Sequence, residues 1–335
     1  LPLALAACGV LALAALWNVV PEEKGSWALG LGAIWIVLLA PGAFRELWAL
    51  SLRTIGYSAL GACVVWTVLC RLVPMRFPNW SVCIGIALGT SMLSGYMIRQ
   101  ERESTKNLVL QSRNFYGPLE VRDDPVTQDY AERTLLHGTI NHGSQLRDSV
   151  LRYVTTSYYG KRSGVGRALT ALQARGPIRA GFIGLGSGVL TNYGRKGDYI
   201  RVYEINPLIE RIAQSLFTFY PHTPADKAIL MGDARLTLEN QLKEGPQNYD
   251  LLAVDAFSSD AIPVHLLTRE AVQLYFRHLK PDGILALHIS NRYLDLAPVC
   301  EGGARAVGRS AWAVEDEGDQ ASYFSSSTWV LVTSN

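Results

Sequence analysis

Between residues 178 and 290 a short apolar run and a helical stretch follow one another in repeated alternation. IRAGFIGL, YIRVYEI, KAILMG, YDLLAVD and GILALHIS read as strands. SGVLTNYG, PLIERIAQSLF, ARLTLENQLK and TREAVQLYFRHL read as the helices between them, with Pro207 in a first turn, where its missing N–H costs nothing. A helical stretch near 294–308 and two strands, AWAVED and STWVLVTS, close the pattern. Such alternation predicts a mostly parallel, Rossmann-like α/β sheet covered by helices on both faces. Before it, LVLQSRNFYGPLEV (108–121) and RTLLHGTI (133–140) read as short strands, with a turn at Gly117 and Pro118. Ser163 is placed to cap a helix through GVGRALTALQA.

Ligands of open parallel sheets bind beyond the carboxyl ends of the strands, so the residues at those ends carry the functional reading. The first end is the turn Gly184, Leu185, Gly186, Ser187, Gly188, whose glycines allow close backbone approach to a ligand. About twenty residues on, the second strand ends in Glu204, suited to accept hydrogen bonds from ribose hydroxyls. The third ends in Asp233, followed by small Ala234; this pair could border an adenine, and Asp233 is equally placed to cap the next helix. The fourth ends in Asp255, with Asp260 five positions later, either an anchor for a cation or the cap of a turn. The turn lacks the full GxGxxG, since Val189 and Thr191 follow it, and no cluster suited to a pyrophosphate is visible. An adenosyl sulfonium therefore fits the series better than a dinucleotide.

The first hundred residues are of another kind. Stretches 3–20, 25–44, 54–70 and 77–98 are uncharged, with Trp17, Trp27, Trp48 and Trp80 near their ends. Each approaches the ~20 residues that cross a bilayer as a helix, and aromatic rings favour the lipid–water boundary. Residues 1–98 are thus expected to be a membrane region of about four spans, 99–160 a linker and small β subdomain, and 161–335 the main α/β domain. Arg45 and Arg53 share a side with Arg99, Arg102 and Lys106, against Lys24, Arg71 and Arg76 opposite. That bias places the α/β domain in the cytoplasm. Of 31 basic and 29 acidic residues, five and three fall before residue 99, leaving 26 of each beyond it. So balanced a domain gives no support to nucleic-acid binding. Five cysteines without CxxC or Cys/His spacing argue against structural zinc and a disulfide framework. No metal is expected, the six histidines having no ligand spacing; His142 and His288 lie near the pocket segments.

These segments resemble the spermidine synthase (aminopropyltransferase) family, in its bacterial branch fused to membrane spans. SRNFYGPLEV is similar to the family's S-x-x-Y-G-x-L strand, LLHGTIN to L-D-G-x-x-Q, YEINP to E-I-D-P, GDAR to G-D-[GA] and VDAFSSDAIP to D-[ST]-[ST]-D-P, over about 108–296. The resemblance implies a small β subdomain before a Rossmann-like S-adenosylmethionine-dependent transferase sheet, and a bacterial inner-membrane location. It implies decarboxylated S-adenosylmethionine as donor and a di- or polyamine as acceptor. Glu204 would hold the ribose, Asp233 the adenine edge, and Asp255 would take the proton of the attacking amine. Asn141 stands where the family has Gln, and Tyr158 or Tyr159 where a tyrosine meets the amine. A homodimer or a membrane complex is the implied assembly.

The chain departs from the family in three places. Ser187 replaces the acid of G-G-G-D-G that faces the donor's ammonium. Lys161 and Arg162 follow the tyrosines where the family has [HQ]-E, and would repel a polyamine if they faced it. Asp255 and Asp260 are five apart rather than three. Two further readings stay open: a methyltransferase or related enzyme using ordinary S-adenosylmethionine on the same scaffold, and a non-catalytic subunit of a membrane complex.

Overall fold

The computed structural model describes residues 95, 98–103, 105–126, 131–257, 262–291, 294–319 and 323–334. Stretches 3–20, 25–44 and 54–70, and all of 77–98 except Gly95 and Ile98, lie outside these residues, as does Asp260. Among the described residues no helix is long and apolar enough to cross a membrane. The chain divides into two units between Lys106 and Asn107, and both β-sheets belong to the second.

That unit opens with an antiparallel meander: β1 (Leu108–Asn114), β2 (Gly117–Pro125), β3 (Ala131–His137) and β4 (Ile140–Leu146). The first turn is Phe115 and Tyr116 rather than Gly117 and Pro118, because Gly117 already pairs with Asn114 in the ladder. Arg133 fastens the meander to the rest of the fold. It donates to both carboxylate oxygens of Asp123 at 2.6 Å and to the Leu216 carbonyl at 2.8 Å.

The main sheet contains β5 (Arg179–Ile183), β6 (Tyr199–Glu204), β7 (Asp226–Met231), β8 (Tyr249–Val254), β9 (Leu279–His288), β10 (Ser310–Asp316) and β11 (Ser327–Thr333), in the order β10-β11-β9-β8-β5-β6-β7. β5 to β9 run parallel; β11 is antiparallel to both its neighbours. The helices are α1 (Gly164–Gln173), α2 (Pro207–Ser215), α3 (Phe219–His222), α4 (Ala234–Gln241), α5 (Arg269–His278) and α6 (Ala297–Ala306). Ser163 caps α1 by accepting from the Gly166 N–H, and Thr268 caps α5 in the same way from Ala271. SGVLTNYG does not form an α-helix: only a five-residue 3-10 turn, Val189–Tyr193, follows the glycines.

Strand periodicity sorts the core into two layers. Ala180, Phe182, Leu251 and Ala253 pack with α1 and α2, and Leu119, Val121 and Leu135 of the meander join that side. Ile183, Leu252 and Val254 face α4, α5 and α6. Strand order reverses between β5 and β8, where the helices diverge and leave a crevice.

Candidate active site

Asp255 occupies that crevice. Its backbone N–H donates to the Ile183 carbonyl at 2.8 Å, joining the tip of β8 to that of β5. Gly184 permits the approach: it sits at φ +98°, and a Cβ there would lie 2.3 Å from the Asp255 carbonyl oxygen.

Two side chains hold the Asp255 carboxylate. Tyr159 donates its hydroxyl to Oδ2 at 2.7 Å. His288 Nδ1 lies 2.7 Å from Oδ1, and His288 Nε2 lies 2.9 Å from Ser290 Oγ. The His288 ring stacks on Trp329, with centroids 4.4 Å apart and planes 6° from parallel. Only 10% of the Asp255 side chain and 4% of the His288 side chain are exposed, so this hydrogen-bonded centre is shielded from water. Burial, followed by the charge of Asp255, pushes the Tyr159 phenol well above its usual range. Tyr159 therefore remains a donor.

Asp255 borders two cavities. One is lined by Gly184, Leu185, Gly186, Glu204, Asp233 and Ala234, among others. The strand-end residues singled out from the sequence thus meet in one place, with two exceptions. Ser187 lines neither cavity: it is buried, its N–H donates to the His142 carbonyl at 3.0 Å, and its Oγ packs where Gly143 leaves room. Ser187 thus lies behind the cavity wall rather than in it. Gly188, at φ +89°, precedes the 3-10 turn and also stays out of the cavity.

Glu204 braces the cavity wall. Its Oε2 accepts the Leu185 N–H at 2.9 Å and its Oε1 the Asn206 N–H at 2.8 Å, tying the glycine turn to the tip of β6. Burial raises its pKa while these backbone donors oppose the rise. Asp233 is the cap of α4, its Oδ1 accepting the Leu236 N–H at 3.0 Å, and the residue also lines the cavity. Its Oδ2 meets His265 Nε2 at 2.9 Å, a partner the sequence did not suggest.

The other cavity, of about 690 Å³, is lined by Asn141, Tyr158, Tyr159, His288 and Ser290, and by Glu315, Asp316 and Glu317 at the end of β10. Asn141 bends its own loop, accepting the Gly143 N–H at 2.7 Å. Lys161 and Arg162 do not line it; Arg162 turns aside to pair with Asp316 at 3.0 Å. Neither cation lines the wall, although Arg162 offsets the charge of Asp316 there and leaves Glu315 and Glu317 as its outer acids. The cavity is acidic and suits a cation.

His142 and Phe257 border both cavities. The His142 Nε2 is buried without a hydrogen-bond partner, and its pKa is lowered to about 4, by burial first and then by His137. A neutral imidazole thus faces the junction. His288 was noted only as lying near the pocket segments, and Ser290 and the Glu315–Glu317 acids were left aside by sequence reasoning. The strand-end rule applied to GILALHIS and AWAVED would have found them.

No protein-family model matches the chain. A polyamine aminopropyltransferase of Vibrio vulnificus (strain CMCP6) is 32% identical over 112 residues, 32% of this chain and 36% of that protein. The chain thus matches about a third of the length of that curated relative. Among solved structures, spermidine synthase from Thermotoga maritima is 13% identical, with 68% of this chain and 73% of that one covered at a TM-score of 0.46. A probable spermidine synthase from Corynebacterium glutamicum ATCC 13032 is 16% identical over 67% and 79%, at 0.48. Human methyltransferase-like protein 13 in complex with SAH is 20% identical over 51% and 79%, at 0.41.

Proposed function

We propose that this chain transfers an aminopropyl group from decarboxylated S-adenosylmethionine to a di- or polyamine. The observation that carries the reading is that Asp255 borders two cavities at once, one framed by the strand tips and one walled by carboxylates. The segment similar to the Vibrio vulnificus aminopropyltransferase supports it. The donor's adenosyl part lies against Gly184, Gly186, Glu204, Asp233 and Ala234, and the amine lies among Asp255, Tyr158, Tyr159 and the Glu315–Glu317 acids. An amine nitrogen beside Asp255 then faces the propyl carbon attached to sulfur. The nitrogen lone pair forms the new C–N bond, the C–S bond breaks, and its electrons neutralise the sulfonium, leaving methylthioadenosine. Asp255 belongs to the basic centre that takes the amine's proton. The leaving group is already activated, so the protein's main contribution is alignment, worth about 7–11 kcal/mol in well-oriented reactions.

The acidic wall also favours a donor without a carboxylate, since a second negative charge at the Asp255 junction would be repelled. The rival reading, methyl transfer from ordinary S-adenosylmethionine, is tested in the same assay. Purified protein is incubated with each donor and with putrescine or spermidine, and products are identified by mass spectrometry. Aminopropylated amine and methylthioadenosine are expected. Methylated amine with S-adenosylhomocysteine would replace this reading by its rival.

The uncharged stretches at 3–20, 25–44, 54–70 and 77–98 support a tether in the bacterial inner membrane, and the flanking basic residues support a cytoplasmic active site. Fractionation with alkaline carbonate extraction tests this; recovery of the intact chain in the supernatant would refute it.

A further inference from the structure

Asp255 accepts hydrogen bonds from two side chains that line the amine cavity, and they differ in what they can do with a proton. Tyr159 is buried, and its phenol is held in the protonated form. His288 continues to Ser290, which lines the larger cavity. Hydrogen-bond directions along this route are fixed by chemistry. An ionised carboxylate can only accept, so His288 Nδ1 carries the hydrogen directed at Asp255 Oδ1, 2.7 Å away. In a neutral imidazole Nε2 is then an acceptor. Ser290 Oγ already accepts the Thr328 N–H at 2.9 Å, which leaves its own hydrogen for His288 Nε2 at 2.9 Å. One Ser290 lone pair remains to face a ligand.

We propose that His288, reached through the Ser290 hydroxyl, is the residue on which the proton lost by the amine comes to rest, and that Asp255 holds the resulting imidazolium. This rests on the aminopropyl-transfer reading and specifies the basic centre of that site. The ammonium N–H donates to Ser290 Oγ; the Ser290 hydrogen moves to His288 Nε2 as the ammonium proton replaces it on oxygen. The products are a neutral amine, an unchanged serine and an imidazolium paired with the Asp255 carboxylate. The amine's freed lone pair then attacks the propyl carbon, and the sulfonium leaves as a thioether. Proton and charge are conserved at each step.

Two features favour this path over protonation of Asp255 alone. The carboxylate already accepts from Tyr159 and His288, and protonating it would cost those charge-assisted bonds. The stacked Trp329 ring fixes the plane of His288, so the imidazole meets both partners without reorganising. The same order of residues activates nucleophilic serines on other folds. Here the acidic wall recruits a cation, which brings protons to give and no acyl carbon to attack.

The test compares Ser290→Ala, Ser290→Thr and His288→Gln with the unaltered protein, using decarboxylated S-adenosylmethionine and putrescine. Ser290→Ala should lower kcat about 30-fold or more, with KM for putrescine and affinity for methylthioadenosine within threefold. Ser290→Thr, which restores the hydroxyl, should recover kcat to within about fivefold of the original. His288→Gln, which can bond to Asp255 but cannot take a proton, should lose at least as much as Ser290→Ala. Unchanged kcat in Ser290→Ala, or no recovery in a folded Ser290→Thr, overturns the relay while leaving the transfer activity standing. An unaltered protein that moves no aminopropyl group overturns the transfer reading, and the relay with it.

Discussion

Tyr159 and Asp255, 96 positions apart in the chain, meet through a 2.7 Å hydrogen bond at the point where two cavities join. The tyrosine comes from the segment before α1, the aspartate from the tip of β8. Replacing Tyr159 by Phe leaves the packing surface and removes the donor. A buried carboxylate that loses one charge-assisted partner costs on the order of 2 kcal/mol. We expect a lower unfolding free energy by about that amount in urea titrations, and a tenfold or greater drop in kcat. An unchanged kcat would show that Tyr159 only supports the fold.

Asp255→Asn tests the centre itself. The amide cannot hold an imidazolium or accept a proton, whereas the walls formed by Glu204, Asp233 and the glycine turn are untouched. Transfer should fall by about a thousandfold or more, within the range that acid–base and charge-stabilising groups contribute. Methylthioadenosine affinity, read by calorimetry, should stay within a few-fold. Retained activity would remove Asp255 from the chemistry.

The acceptor wall makes a different prediction. Glu315→Gln and Glu317→Gln each remove one charge from the larger cavity without touching Asp255. KM for spermidine should rise about three- to tenfold while kcat holds. The effect should shrink at high salt, because partly exposed charges are screened. Equal KM values at low salt would place the amine elsewhere.

His142 predicts a pH dependence of stability. Its pKa is lowered from 6.5 to about 4 in the folded protein. The unfolded chain therefore binds the proton more readily, and acid favours unfolding. The stabilising contribution is complete above pH 6.5 and is lost as pH falls towards 4. Across that window the unaltered protein should lose on the order of 2 kcal/mol more than His142→Gln, as read from urea midpoints. Parallel curves for the two proteins would refute it.

Gly184→Ala probes the crossing of β5 and β8. A methyl group there would meet the Asp255 carbonyl oxygen at 2.3 Å, on a backbone at φ +98°. Backbone strain of this kind costs about 1–3 kcal/mol, and the clash adds to it. The midpoint of thermal unfolding should fall by several degrees, and transfer should be impaired along with it.

The strands of the main sheet were legible because each is a buried apolar run bounded by turn residues, and Ser163 and Pro207 marked where helices begin. The 3-10 turn after Gly188 was not: its apolar residues suit either geometry, and only the packing around it decides. Asp233 shows a second limit. Sequence could offer a helix cap or a ligand contact, but not that the two carboxylate oxygens divide their duties between Leu236 and His265. Ser187 shows a related limit. Position in a motif fixes where a residue lies along the turn, whereas its burial depends on β4, a strand far earlier in the chain. His288 and Ser290 were within reach, since they end the strand after Asp255. Their significance comes from β11, whose Thr328 and Trp329 complete the surroundings.

β11 runs against both its neighbours, so this strand begins at the ligand edge and finishes at the far one. Ser327 and Thr328 reach the amine cavity, while Thr333 emerges on the opposite rim. A fluorescent reporter or affinity handle coupled to a cysteine placed at Thr333 should hang clear of that cavity, which makes this rim a place to grip the molecule for imaging or capture.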